Sequence, residues 1–169
     1  NTLIRPMSKK LKNTKIVVGA QNCHENESYG SFTGHVNSKM LKNVGAQYVI
    51  IGHSENRKSG ETNKLINLKI KSALKSGLKV IFCIGETLSD KRKKITKKIL
   101  AKQINSGLFK IKNKKNIIIA YEPVWSIGTG LIPDSNDLFE TINFIKRNKK
   151  NYSVLYGGSV NPKNITELK

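Results

Sequence analysis

The sequence is poor in cysteine and in acidic side chains, and it has no long apolar run. Its two cysteines, Cys23 and Cys83, show no metal-ligand spacing and are too few for a disulfide framework. No apolar stretch approaches the roughly 20 residues that a membrane-spanning helix requires. These absences argue against a disulfide-rich secreted protein and a membrane protein. They predict a cytoplasmic protein with no membrane partner.

Basic residues outnumber acidic ones by 31 to 11, which gives a formal net charge of +20. This charge raises the alternative of a nucleic-acid-binding protein, for which strong, salt-steep binding of a duplex would be the sign. However, 27 of the basic residues are lysines scattered along the chain, and stacking runs of aromatic and basic residues are missing. We therefore attribute the charge to composition, expect no nucleic-acid partner, and expect long-range attraction of anionic substrates.

Short apolar runs rich in β-branched residues alternate with helical patterns. The predicted strands are 16–18, 48–51, 80–84, 116–119 and 153–156, and the predicted helices are 62–76, 88–104 and 134–146. Continuous apolar runs are typical of strands covered on both faces, as in a parallel sheet. The pattern predicts an α/β fold built from βα units. A doubly wound sheet is the competing architecture, but its glycine-rich dinucleotide fingerprint is missing.

A polar residue follows each predicted strand: in order, Asn22, His53, Glu86, Glu122 and Ser159. These residues recur at intervals of 31, 33, 36 and 37, each the length of one βα unit. The carboxyl ends of parallel strands share one face of the fold. The register therefore predicts that the five side chains converge on one site.

Glu122 has the most informative sequence surroundings. It precedes Pro123, which stops strand pairing, and Gly128 and Gly130 end the short apolar segment that follows. A carboxylate on a rigid strand end, beside a loop with small-residue hinges, suits a general base that a lid covers during chemistry. The alternative is a solvated glutamate in a surface loop.

Several segments together resemble one enzyme family. They are 20–22 (Ala-Gln-Asn), 52–55 (Gly-His-Ser-Glu), 83–86 (Cys-Ile-Gly-Glu), 120–130 (Ala-Tyr-Glu-Pro-Val-Trp-Ser-Ile-Gly-Thr-Gly) and 156–159 (Tyr-Gly-Gly-Ser). In order and spacing they resemble triosephosphate isomerase. The resemblance implies a (β/α)8 TIM barrel, incomplete here, with residues 1–169 forming a single partial domain of about five βα units.

The resemblance implies an isomerase that interconverts dihydroxyacetone phosphate and glyceraldehyde 3-phosphate without a metal or organic cofactor. Glu122 matches the base that removes a proton from the carbon beside the carbonyl. His53 matches the imidazole that polarises the substrate carbonyl oxygen and shuttles protons between the two oxygens of the enediolate. This family is itself a standard worked example of a glutamate base paired with an imidazole electrophile. The enediolate is too basic to form unless donors already point at its oxygens.

Further residues take their expected roles from the same resemblance. Gly128 in the lid and Ser159 after the last predicted strand match phosphate-binding positions, where backbone N–H groups hold an anion. The residues expected to support the site are Asn22, Glu55 and Cys83. Thr33 lies at the tip of a loop that docks into a partner subunit in the family, which implies a homodimer. Trp125 is expected to anchor the lid hinge by packing.

The sequence also departs from the family pattern. The family's first strand ends in an Asn-x-Lys pair whose lysine would bind the phosphate and the oxyanion, but no such strand precedes the first predicted strand here, and the chain opens on Asn1. We therefore expect the first two strands and the last strand of the barrel to lie outside these residues. Asn56 replaces a common arginine, and His35 replaces an acidic residue of the dimer loop. Two alternatives remain: an inactive barrel fragment that serves as an assembly module, and another barrel enzyme that acts on a phosphosugar.

We predict that these 169 residues alone have negligible isomerase activity, whereas the complete gene product is active. Loss of one cationic oxyanion group costs about 10² to 10³ in rate, and an incomplete phosphate site adds to the loss. The measurement is formation of glyceraldehyde 3-phosphate from dihydroxyacetone phosphate by each purified protein. Equal turnover by the two proteins would contradict the prediction.

Overall fold

The computed structural model describes residues 1–148, 152–166 and 168, and it contains a five-stranded parallel sheet with helices between the strands. The strands are β1 (Gly19–Ala20), β2 (Tyr48–Ile51), β3 (Lys79–Ile84), β4 (Ile117–Tyr121) and β5 (Ser153–Tyr156). The helices are α1 (Ile4–Lys10), α2 (Ser38–Asn43), α3 (Ser54–Lys58), α4 (Asn63–Lys75), α5 (Leu88–Arg92), α6 (Thr96–Gly107) and α7 (Ser135–Asn148). A 3₁₀ turn, Val124–Ser126, follows β4.

The spatial order of the strands is their order in the chain, β1-β2-β3-β4-β5, and every paired neighbour is parallel. A doubly wound sheet reverses its strand order at a switch point, and no reversal occurs among the described strands. The sequential path is that of a (β/α)8 barrel. The predicted βα repeat is confirmed and the doubly wound alternative is wrong, so the chain carries five strands of an incomplete barrel.

The hydrophobic core lies between the sheet and the helices that cover it. Its fully buried side chains include Val49, Ile51, Ile66, Ile70, Phe82, Leu100, Ile104, Ile119 and Ile145. Gly107 of α6 allows the ring of Phe82 to pack against the helix, because a Cβ at this position would lie 2.4 Å from Phe82 Cζ. The strands are therefore held by helix packing as well as by their hydrogen bonds.

Two helix predictions are confirmed together with their caps. The Thr62 side chain accepts a hydrogen bond from the Leu65 N–H at 3.2 Å and starts α4, and Gly77, with φ of 75°, follows its last turn. Asp134 precedes α7, and its Oδ1 accepts from the Asn136 N–H at 2.9 Å. These local signals were sufficient because each cap is made by residues of the helix itself or its flanks.

The single helix predicted over residues 88–104 is wrong, because the structure has two helices, α5 and α6, in this region. A capping box between Thr87 and Asp90 starts the short α5. Lys94 then adopts the left-handed conformation, with φ of 56°, and the Ile95 N–H turns back to the Asp90 carbonyl at 3.1 Å. The left-handed residue ends the first helix and redirects the chain into the second.

The first strand is predicted at residues 16–18, but the structure pairs the next two residues, Gly19 and Ala20, with β2. Ile16 is 62% exposed, and Val17 is also exposed. The predicted bounds of the first strand are therefore wrong. The apolar residues at 16–17 are exposed, and pairing with β2 begins at Gly19. β1 and β5 are the edge strands of the described sheet, and Leu155 of β5 is exposed there.

Three short helices, α1, α2 and α3, have no counterpart in the sequence predictions. Each has seven residues or fewer, too few for a clear apolar periodicity. Residues 162–166 form turns, and residues 167 and 169 lie outside the described part of the chain. Within the described ranges, no helix has both the length and the apolar character needed to cross a membrane.

We predict that Phe82→Ala lowers the free energy of unfolding by about 3 to 5 kcal/mol, because it removes a fully buried ring and leaves a cavity. Phe139→Ala is the matched control, since Phe139 is 69% exposed, and it should change stability by no more than about 0.5 kcal/mol. Urea unfolding followed by circular dichroism measures both variants. Equal losses of stability would contradict this assignment of the core.

Candidate active site

The carboxyl ends of the strands form the base of the candidate active site. The register pairs the last residues of β3, β4 and β5 and pairs the last residue of β2, Ile51, with Phe82 of β3, so the residues that follow these parallel strands emerge at one edge of the sheet. His53 follows β2 after Gly52, Glu122 follows β4 directly, and Gly157 follows β5. The parallel sheet therefore brings together side chains that are far apart in the sequence.

His53 and Glu122 face each other across this edge. The distance from His53 Nε2 to Glu122 Oε2 is 3.7 Å, which leaves the two groups adjacent but not hydrogen bonded. His53 is the N-cap of α3, and its Nδ1 accepts a long hydrogen bond from the Glu55 N–H at 3.4 Å. Because Nδ1 is an acceptor, a neutral ring carries its proton on Nε2, the nitrogen that faces Glu122.

The Glu122 carboxylate is held in a buried position with one oxygen unused. Its side chain is 15% exposed, and Oε1 accepts a hydrogen bond from the Cys83 thiol at 3.3 Å. Oε2 is buried and has no hydrogen-bond partner among the described residues. Burial raises the pKa of the Glu122 carboxyl above its ordinary value, although the nearby His53 opposes this shift. An unpartnered, desolvated carboxylate oxygen is a good proton acceptor.

Cys83 supports Glu122 and is itself poorly suited to act as a nucleophile. It lies buried in β3, and burial, together with the charge of Glu122, raises the pKa of its thiol. A thiol in such surroundings stays protonated and unreactive. Its role in this arrangement is to donate a weak hydrogen bond that orients the carboxylate.

Two glycines let the backbone approach Glu122 closely. A Cβ on Gly85 would lie 1.9 Å from the Glu122 carbonyl oxygen, a distance that requires the strand end to move. A Cβ on Gly157 would lie 3.2 Å from Glu122 Cγ. The Glu122 N–H donates to the Ile84 carbonyl at 2.8 Å and completes the contact between β3 and β4. The glycines at these two turns are therefore needed to position the carboxylate.

Arg57 is an important residue that the sequence reasoning missed. Its guanidinium is half-buried and donates to the Gly52 carbonyl at 2.7 Å and to the Cys83 carbonyl at 3.0 Å. A third bond reaches Asn63 Oδ1 at 2.7 Å. Desolvation lowers the pKa of this guanidinium. Arg57 joins the ends of β2 and β3, and the available signal was its place four residues after His53 in a chain rich in lysine.

Residues 123–130 form the segment predicted to be a lid. Gly128 is exposed with φ of 69°, and Gly130 has φ of 77°, so both occupy conformations that favour glycine. The Ser159 hydroxyl accepts from the Gly130 N–H at 3.1 Å and donates to the Ser126 carbonyl. Ser126 Oγ lies 3.1 Å from the Tyr156 hydroxyl. The segment is thus tied to the turn that follows β5.

Glu86 does not join His53 and Glu122, and its predicted convergence on the site is wrong. Its carboxylate is buried on the helix-covered face of the sheet, where it accepts from the Tyr121 hydroxyl at 3.2 Å and from Trp125 Nε1 at 2.9 Å. The sequence interval located the end of the strand correctly. It did not determine the direction of this side chain.

The side chain of Asn22 bonds to residues other than His53 and Glu122, and Thr33 lies on the exposed loop after β1. The Asn22 amide donates to Glu61 Oε1 at 2.9 Å, and its oxygen accepts from Lys69 Nζ at 3.2 Å. Thr33 is exposed at the tip of the loop after β1. Asn22 therefore contacts a buried ion pair beside the site.

Comparisons with known proteins agree on one family. The triosephosphate isomerase family model matches residues 1–169. Triosephosphate isomerase of Thermodesulfovibrio yellowstonii is 45% identical over 174 residues, covering 98% of this chain and 70% of the relative. The enzyme of Carboxydothermus hydrogenoformans is 43% identical, covering 96% of this chain and 69% of the relative. The crystal structure of triosephosphate isomerase from Bartonella henselae superposes with a TM-score of 0.90 at 36% identity, covering 99% of this chain and 70% of that chain.

We predict that Glu122→Gln raises the melting temperature of the complete gene product at neutral pH. Because burial raises the folded-state pKa, the protonated carboxyl contributes stability that is fully present below the unfolded pKa and is lost as pH rises through the folded pKa. The neutral amide avoids that loss, so the gain should shrink as pH falls toward the ordinary glutamate value. Differential scanning calorimetry over a pH series measures the effect.

The control is Glu140→Gln, which changes an exposed carboxylate paired with Lys97 on the outer surface. It should show no comparable gain at neutral pH. A Glu122→Gln variant that is less stable than wild type throughout the pH series would contradict the predicted cost of burying this charge.

Proposed function

The chain belongs to the triosephosphate isomerase family, and we propose that it carries the acid–base pair with which the complete enzyme interconverts dihydroxyacetone phosphate and glyceraldehyde 3-phosphate. The observation that carries the proposal is the buried, unpartnered Glu122 Oε2 facing His53 Nε2 at 3.7 Å. An acid and a base side by side suit a substrate in which a carbon and the oxygen next to it both exchange protons. No metal or organic cofactor takes part in the proposed reaction.

In the proposed mechanism, Glu122 Oε2 removes a proton from the carbon beside the substrate carbonyl. The raised pKa favours this step, because a base whose pKa lies nearer the working pH accepts a proton more readily. His53 donates its Nε2 proton to the carbonyl oxygen as the enediolate forms, which stabilises the developing negative charge. Return of the proton from Glu122 to the neighbouring carbon, with proton exchange between the two oxygens through His53, completes the isomerisation.

The residues around the pair have positioning roles in this proposal. Cys83 orients Glu122 through Oε1, and so leaves Oε2 for the substrate. The Glu55 N–H supports the His53 ring at Nδ1 and selects the tautomer that donates from Nε2. Asn22 supports the adjoining loop through its bonds to Glu61 and Lys69.

We assign phosphate binding to the lid and to the turn after β5. Gly128 and Ser159 would present backbone N–H groups to the phosphate oxygens, a mode of binding that needs no cationic side chain. The hydrogen bonds between the Ser159 hydroxyl and the lid support this assignment, because they bring the two segments together. A docked lid would also exclude water from the enediolate.

At the level of the whole protein, we propose a homodimeric cytoplasmic enzyme in which residues 1–169 form a single partial barrel domain. Thr33 would reach a partner subunit, and its exposure at the loop tip is consistent with that role. The formal charge of +20 would assist capture of the anionic substrate.

We predict that Glu122→Gln in the complete gene product lowers kcat for dihydroxyacetone phosphate by about 10² to 10⁴, because the amide cannot accept the proton. KM should change little, since the side chain keeps its shape. The measurement is a coupled assay of glyceraldehyde 3-phosphate formation. Glu140→Gln removes an exposed carboxylate of the outer surface and should retain wild-type rates.

Retention of near-wild-type kcat by Glu122→Gln would exclude this glutamate as the base. Activity on a different phosphosugar, with none on dihydroxyacetone phosphate in the wild-type protein, would contradict the proposed substrate. The two results are separate because the first concerns the variant and the second the unaltered enzyme.

A further inference from the structure

A second cluster of charged residues lies on the helix-covered face of the sheet and holds the indole of Trp125. This residue belongs to the 3₁₀ turn at the start of the lid. Its Nε1 donates to Glu86 Oε1 at 2.9 Å, and Lys91 Nζ lies 4.2 Å from the centroid of the ring. The indole therefore has a hydrogen-bond acceptor at its edge and a cation over its face, an arrangement in which both contacts are favourable.

Lys91 is held in place by contacts beyond the indole. Its Nζ pairs with Asp137 Oδ2 of α7 at 3.3 Å, and the capping box between Thr87 and Asp90 fixes the start of α5, on which Lys91 lies. The Lys91 side chain is 35% exposed, so the ammonium is partly shielded from water. A shielded cation interacts more strongly with an aromatic face than a fully solvated one.

The same residues border an open space. A cavity of about 400 Å³ lies between the sheet and α5, α6 and α7, and Glu86, Lys91, Tyr121 and Asp137 are among its lining residues. The space adjoins the groups that hold the indole. Because these groups border an open space, the position of Trp125 depends on its contacts with Glu86 and Lys91.

The position of Trp125 affects the rest of the lid. On one side, the Val124 N–H donates to the Glu86 carbonyl at 3.0 Å. On the other side, Ser126 bonds to the turn after β5 through Tyr156 and Ser159. The 3₁₀ turn is thus fixed at both ends, and its central residue is the one that contacts Lys91.

We propose that Lys91 is a positioning residue for the isomerase reaction, which holds the lid hinge in its docked arrangement through the contact of its ammonium group with Trp125. The proposal rests on the lid function proposed above. Glu86 is buried and holds the edge of the indole, whereas Lys91, on α5, contacts the face of the indole. Without Lys91 the lid would spend less time docked on the turn that binds phosphate.

The test compares Lys91→Met, Lys91→Arg and Lys97→Met in the complete gene product. Lys91→Met keeps the aliphatic length but removes the cation, and it should raise KM for dihydroxyacetone phosphate about three- to tenfold. The kcat value should change less than twofold, because saturating substrate still docks the lid. Lys91→Arg should restore the wild-type KM, since a guanidinium also stacks on an aromatic face. Lys97→Met is the matched control, because Lys97 lines the same cavity but pairs with Glu140.

A second measurement reports the contact without turnover. The indole N–H cross-peak of Trp125 in a ¹H–¹⁵N NMR spectrum, assigned with Trp125→Phe, should shift in Lys91→Met and return toward the wild-type position in Lys91→Arg. A KM and a cross-peak in Lys91→Met that both match those of Lys97→Met would overturn the proposal. Absence of isomerase activity in every protein, including wild type, would instead contradict the proposed function, while the NMR comparison would still decide whether Lys91 restrains Trp125.

Discussion

Burial of the Glu122 carboxylate at the junction of β3 and β4 is the constraint on which the rest of this site depends. The carboxylate lies there because the two strands pair up to their last residues and the Glu122 N–H continues that pairing to Ile84. Gly85 permits the approach, since any larger residue would collide with the Glu122 backbone. The resulting desolvation raises the pKa of the carboxyl and leaves one oxygen without a partner. In the proposed mechanism, this burial lowers stability and makes Glu122 a more reactive base.

The carboxylates that follow β3 and β4 lie in different surroundings. His53 and Glu122 lie together at the carboxyl edge of the sheet, where the proposed chemistry takes place. Glu86 lies on the helix-covered face and holds the lid hinge through Trp125. Two carboxylates that follow neighbouring strands therefore have different partners, which are determined by the direction of each side chain. Arg57 joins the strand ends beneath both groups through backbone carbonyls.

Local sequence signals predicted those parts of the fold that depend on neighbouring residues. The strand predicted at 48–51 matches β2, and the helix predicted at 62–76 begins at the Thr62 cap and ends before Gly77. The same reasoning failed where a single backbone conformation or a distant contact decides the outcome. The apolar pattern of residues 88–104 continues across Lys94, but the left-handed backbone at that residue divides the helix. The spacing of Glu86 likewise located the end of its strand, while packing against Tyr121 and Trp125 turned its side chain away.

The sequence by itself determined the βα repeat and the family, and it predicted His53 and Glu122 as the candidate pair, because these depend on residue type and spacing along the chain. Only the tertiary structure decided which oxygen of Glu122 is free, which nitrogen of His53 faces it, and that Arg57 bonds to the Cys83 carbonyl and Lys91 contacts Trp125. The physical reason is the range of the interactions. Caps and apolar periodicity act over a few residues, whereas desolvation, guanidinium–carbonyl bonds and cation–aromatic contacts join groups that only folding brings together.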